Sequence, residues 1–138
     1  MRGQSDACER WARIEFAVGA GRGRWSVRAL VVESFGGKLR GLLGTRPGDA
    51  RAMPLLLVGC PSVHTFGMRY PLDVALVDGE GLVLGSWRAL SPGRIVRRAG
   101  ARHALERPSG ADPWPIEGDL VELMDVWHVM GGQDGQDS

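Results

Sequence analysis

The sequence predicts an all-β protein, a jelly-roll-like sandwich or barrel of about eight short strands with one short α-helix near residues 34–43. Three observations predict it. Glycine fills 21 positions and proline 8, and glycine at about double its usual share marks many turns between short strands. Apolar residues alternate at period two, most clearly where Leu72, Val74 and Leu76 fall on one face and Asp73, Ala75 and Val77 on the other. No strand–helix alternation of the kind a parallel α/β sheet requires is present, and there is no internal repeat.

A chain of 138 residues is one domain by size. At this length about two thirds of the unfolded surface can be buried without covalent staples. The expected organisation is a flexible N-terminus over residues 1–10, a single β domain over 11–130 and a disordered tail over 131–138. A formal net charge of +1 argues against nucleic acid as a partner, since a dedicated binder carries a broadly basic surface. Lys38 is the one lysine among 17 basic residues. Arginine suits phosphate and carboxylate recognition, but a GC-rich coding sequence gives the same skew.

Cys8 and Cys60 are the only cysteines. They have neither the CxxC spacing of a zinc site nor the number of a disulfide framework. Two reduced thiols, no signal-peptide-like apolar run and no stretch near ~20 apolar residues lead to the expectation of a cytoplasmic protein without membrane segments.

In chain order, residues 11–18 and 25–33 read as strands joined by the flexible residues 19–23. In the second, Trp25, Val27, Ala29 and Val31 alternate with Ser26 and Arg28. Ser34 can cap a helix running through Leu43, in which Phe35, Leu39, Leu42 and Leu43 fall at helical spacing. Gly36 and Gly37 each weaken that helix by about 1 kcal/mol against alanine, so packing must hold it. Gly44 suits the position just past its end. Residues 53–58 are apolar apart from Pro54, which predicts a buried strand with an irregular start.

Beyond Gly59, Cys60 and Pro61, residues 62–81 open with His64, Thr65 and Phe66 and bend from Gly67 to Pro71. They continue as the strand Leu72 to Val77 and end in a tight turn, Asp78-Gly79-Glu80-Gly81. Those turn residues tolerate positive φ, as a hairpin connection needs. Residues 82–90 supply the partner strand. Short strands follow at 94–98 and 101–106, then a proline-bearing loop over 107–117 and a last strand over 120–129.

Several of these residues carry a resemblance. His64-Thr65, Met68, Pro71-Leu72-Asp73 and the turn at residues 78–81 resemble the central motif of a prokaryotic family, domain of unknown function 192. Arg40-Gly41-Leu42-Leu43-Gly44 resembles its helix-end motif, and Leu105-Glu106, Gly110 and Gly118-Asp119 its closing segments. The resemblance spans roughly residues 27–125, in order. This chain has His64-Thr65 where many members carry Trp-Met, and Leu43 where they carry Met, so a role that needs the indole does not carry over. The resemblance implies a compact β-rich domain of jelly-roll type and no established activity.

Candidate chemistry is sparse. The 3 histidines, His64, His103 and His128, lack the HxH or HxxxH spacing that puts two imidazoles on one face, so no metal and no cofactor is expected. Asp73 begins an otherwise apolar strand, where a carboxylate needs hydrogen bonds or a cation. It reads either as an acceptor that pins the bend over residues 67–71 or as a general base in a cleft. Asp73 and Glu106 could form an acid/base pair if they face one another. No G-x-S-x-G elbow or phosphate-cradling loop is present.

Arg88, Arg94, Arg97, Arg98 and Arg102 occur with no acidic residue in the stretch 88–102. They read as a charged edge strand that resists pairing or as a site for an anion or an acidic partner. Of the 5 tryptophans, those at 11, 25, 87 and 127 read as core, whereas Trp114, between Pro113 and Pro115, caps the domain or offers a stacking face.

No catalytic set is complete. The expected function is a non-catalytic binding or accessory module whose surface gathers His64, Thr65, Met68, Arg69, Asp73 and Glu106, for a small ligand or a protein partner. The alternatives are a small hydrolase or lyase using Asp73 and Glu106, and a structural interaction domain using the arginine stretch.

Overall fold

The computed structural model describes residues 8–18, 23–34, 37–38 and 41–130. Among them nine strands form: β1 (Cys8–Val18), β2 (Gly23–Val32), β3 (Leu55–Leu57), β4 (Ser62–His64), β5 (Leu72–Val77), β6 (Val83–Leu90), β7 (Ile95–Arg97), β8 (His103–Pro108) and β9 (Glu122–Met130). Seven make one mixed sheet in the order β6-β5-β8-β3-β2-β1-β9, and β4 pairs with β7 in a second sheet. The fold is all-β, as glycine content and period-two alternation predict.

The large sheet curls until its edges meet. Leu82, ahead of β6, bridges Leu120, ahead of β9, and the Val121 N–H donates to the Gly81 carbonyl at 2.9 Å. Gly81 makes this closure possible: its φ is +95°, and a Cβ there would lie 2.3 Å from the Val121 oxygen.

β5, between β6 and β8, is buried on both faces because a core packs against each side of it. Leu72, Val74 and Leu76 join a core with Leu42, Leu57 and Val63 on one face. Ala75 and Val77 join Ile14, Leu105 and Trp114 on the other. Each buried Leu or Val contributes about 1.5–3 kcal/mol of transfer free energy.

The one parallel pairing, β2 with β3, forces a long crossover between Val32 and Leu55. This crossover lies over the first core. The Ser34 hydroxyl accepts from the Gly37 N–H at 3.0 Å, the predicted cap, and the Gly41 N–H donates to the Gly37 carbonyl at 2.8 Å. The described part of the predicted helix is a single turn, with Gly37 and Lys38 helical and residues 41–44 in turns. Residues 35, 36, 39 and 40 of that helix, the joining residues 19–22, the N-terminal residues 1–7 and the tail 131–138 lie outside the described residues.

Several expectations change. β1 begins at Cys8 and pairs Arg10 with both Val31 and His128, so residues 8–10 belong to the sheet rather than to a flexible terminus. Residues 62–64 form a strand because β7 offers a partner that a local reading could not see. The tryptophans invert: Trp11, Trp25, Trp87 and Trp127 are half-buried, while loop Trp114 is 4% exposed and in the core. Arg28 covers the Trp11 ring at 5.7 Å and Arg98 the Trp87 ring at 4.7 Å, so arginines cover two of the strand indoles.

Candidate functional site

The crossover and the sheet enclose a cavity of about 290 Å3. Its floor is the sheet face carrying Leu57, Leu72 and Glu106, and the crossover residues Lys38, Gly41, Leu42 and Leu43 form one wall. Cys60, Val63, His64, Phe66 and Met68 complete it. Tyr70 and Thr45 hold the wall in place through a hydroxyl–hydroxyl bond, while the Thr45 hydroxyl donates to the Leu42 carbonyl at 2.7 Å.

Among the described residues Glu106 is the one acid lining this otherwise mostly apolar space, and it is 3% exposed. Burial pushes its carboxyl up to about 7, and a hydrogen bond from the Leu42 N–H offsets this only in part. Gly41 permits that contact. Its φ is +49°, and a Cβ there would sit 2.9 Å from Glu106 Oε2. Lys38, half-buried, donates from Nζ to the Val58 carbonyl at 2.9 Å. The Cys60 thiol donates to the Ser62 carbonyl at 3.2 Å. Burial pushes its pKa up, so it lacks the thiolate character of a nucleophile. The His64 and Phe66 rings stack at 5.7 Å. Nearby, His103 Nδ1 accepts from the Gly59 N–H at 2.9 Å. Burial and Arg102 lower its pKa, which keeps Nδ1 an acceptor.

Of the six residues predicted for a binding surface, His64, Met68 and Glu106 come together here. The other three do not line the cavity. Thr65 is fully buried, donates to the Ser91 carbonyl at 2.7 Å and accepts from the Arg94 N–H at 2.9 Å, which ties β4 to β7. Arg69 is exposed outside the cavity. Asp73 points to the opposite face of the sheet, because it pairs with Arg107 while its neighbour Val74 pairs with Glu106.

An acid/base pair of Asp73 and Glu106 is therefore not formed. Asp73 is fully buried and accepts from Arg107 Nε at 2.9 Å, the Ala89 N–H at 2.9 Å and the Gly110 N–H at 3.3 Å. Burial alone would raise its pKa, but the Ala89, Arg107 and Ser109 donors hold it below the usual carboxylate value. It anchors the irregular end of the β5–β6 hairpin and the loop after β8, not the bend over residues 67–71.

The arginine stretch is divided. All five are exposed, but Arg88 is tied down, 3.4 Å from Asp73 Oδ1 and donating to the Gly110 carbonyl at 2.7 Å. Among the described residues no group of three or more His, Cys, Asp or Glu could hold a metal ion, and no helix is long and apolar enough to cross a membrane. Sequence reasoning missed Lys38, Cys60 and Phe66 as cavity residues. The single available signal was the resemblance around residues 40–44, which placed Gly41 and Leu42 in a motif without saying what they face.

Fold and site together define a small all-β protein whose curled sheet carries, on one face, a compact cavity with a buried carboxyl. No family model matches the chain, and no curated protein matches it. Two solved structures share the fold. A Sinorhizobium meliloti protein, provisionally described as a transcription regulator, superposes with a TM-score of 0.63 at 17% identity over 85% of this chain and 94% of that one. A protein of unknown function from Novosphingobium aromaticivorans superposes with a TM-score of 0.62 at 19% identity over 88% of this chain and 98% of that one. At these identities the likeness speaks for the fold alone.

Proposed function

We propose that the chain is a non-catalytic binding module that takes a small, largely apolar ligand into the cavity between the sheet and the crossover. One observation carries this reading: Glu106, 3% exposed, sits on the floor of a mostly apolar space with no cation paired to it among the described residues. A buried carboxyl in that setting is unfavourable when ionised, and a ligand group that bonds to it removes the cost. Among the described lining residues Glu106 has no second acid to pair with, which supports binding better than turnover by a carboxylate pair.

We also take the chain for a member of the domain of unknown function 192 family. Support comes from where the resembling residues fall: Gly41, Leu42, His64, Met68, Leu72 and Glu106 all line the cavity, although they come from three separate motifs. A cytoplasmic location is part of the same reading and is supported by the free Cys60 thiol.

Amide chemical-shift mapping with a library of small apolar amines, amides, alcohols and acids tests the binding reading. Shifts should concentrate at Leu42, Cys60, His64, Met68 and Glu106. A library that leaves those amides unmoved would overturn it.

A further inference from the structure

We propose that the cavity accommodates a small zwitterion, an amino acid with a compact apolar side chain, its ammonium held by Glu106 and its carboxylate by Lys38. The inference rests on the binding reading above and names the ligand class. Among the described residues Glu106 and Lys38 are the acid and the amine that line the cavity. They do not satisfy each other: Glu106 accepts from the Leu42 N–H, while Lys38 gives one N–H to the Val58 carbonyl and keeps two donors. Both lie with Cys60 around the same cavity, so the two groups share one space.

Charge balance then selects the ligand. A simple amine would meet Glu106 but bring a second cation toward Lys38, and a simple carboxylate would meet Lys38 but face Glu106. Between mostly apolar walls both like-charge contacts are costly. A zwitterion opposes neither. Leu42, Leu57, Val63 and Leu72 supply apolar wall for a side chain. A volume of about 290 Å3 holds about ten water-sized atoms, enough for an amino acid of leucine size.

Calorimetric titration near neutral pH with L-leucine, 3-methylbutylamine and 4-methylpentanoate tests this, because the second compound lacks the carboxylate and the third the ammonium. Leucine should bind at least about tenfold more tightly than either. Glu106→Gln should weaken leucine about tenfold without weakening 4-methylpentanoate, and Lys38→Met should do so without weakening 3-methylbutylamine. The wild-type ligand series decides by itself if either variant fails to fold. Equal binding of one half-molecule overturns the two-charge site and leaves the binding reading standing. If leucine, valine and methionine are all silent while other library members shift the cavity amides, the ligand class alone is wrong; if the whole library is also silent, both readings fail.

Discussion

Val74 pairs with Glu106 across the β5–β8 ladder while Asp73 pairs with Arg107, so the two buried acids leave the sheet on opposite faces. Their environments differ accordingly. Asp73 meets a guanidinium and backbone donors, and Glu106 meets apolar side chains and one N–H. Four predictions follow from this and from the backbone around it.

Glu106 should make stability depend on pH. Its folded-state value is raised from 4.5 to about 7, so the folded state holds a proton that the unfolded state has lost. Stability therefore falls as pH rises through that window and levels off above it. The span corresponds to roughly 3 kcal/mol. Cys60 and Tyr70, which also feel Glu106, are shifted upward and titrate above the window. Urea unfolding of Glu106→Gln should show little change near pH 5 and a gain of about 1–3 kcal/mol near pH 8. A variant that loses stability at the higher pH would contradict this.

Arg107 should matter more than an ordinary arginine. Its side chain is 8% exposed and compensates fully buried Asp73. Its guanidinium also lies 4.6 Å from the Trp114 ring. Arg107→Met should cost about 3 kcal/mol, because it leaves buried Asp73 only the more exposed Arg88 at 3.4 Å and its uncharged donors. Adding Asp73→Asn should restore part of the loss. A double variant less stable than the sum of the singles would speak against this coupling.

Ala89 has a φ of +54°, the one positive value at a non-glycine position among the described residues. The Ala89 N–H donates to Asp73 Oδ1 at 2.9 Å, which holds it there. Ala89→Gly should relieve the left-handed strain against a smaller entropic loss and raise stability by about 0.5–1 kcal/mol in thermal or chemical unfolding.

Gly81 and Gly44 both have positive φ, yet a Cβ at 81 would strike the Val121 carbonyl while one at 44 would meet nothing within 4 Å. Gly81→Ala should cost about 2–4 kcal/mol and loosen the seam between β6 and β9, and Gly44→Ala about 1 kcal/mol. Hydrogen exchange at the Val121 amide separates them: faster exchange is expected only in the first variant.

How much of this was legible can be judged residue by residue. The Asp78 turn was, and the Asp78 carboxylate accepts from the Glu80 and Leu82 N–H groups at 2.8 and 3.0 Å as such turns require. The Ser34 cap was legible for the same reason, since donor and acceptor lie three positions apart. Trp114 and the strand tryptophans were misjudged, because alternation reports which residues share a face and not which face is covered. Lys38 could not be joined to Glu106 from the chain alone, because 68 positions separate them by subtraction of their numbers.

Period-two alternation and turn chemistry act over a few residues, so the amino-acid order by itself determined an all-β protein, the β5–β6 hairpin, a burdened acid at position 73 and a second acid, Glu106, at the end of an apolar strand. Only the tertiary structure decided that β8 lies beside β5 in a register sending those acids apart, and that the crossover roofs one of them. Long-range strand pairing sets both outcomes, and it is governed by how the whole sheet buries its two faces.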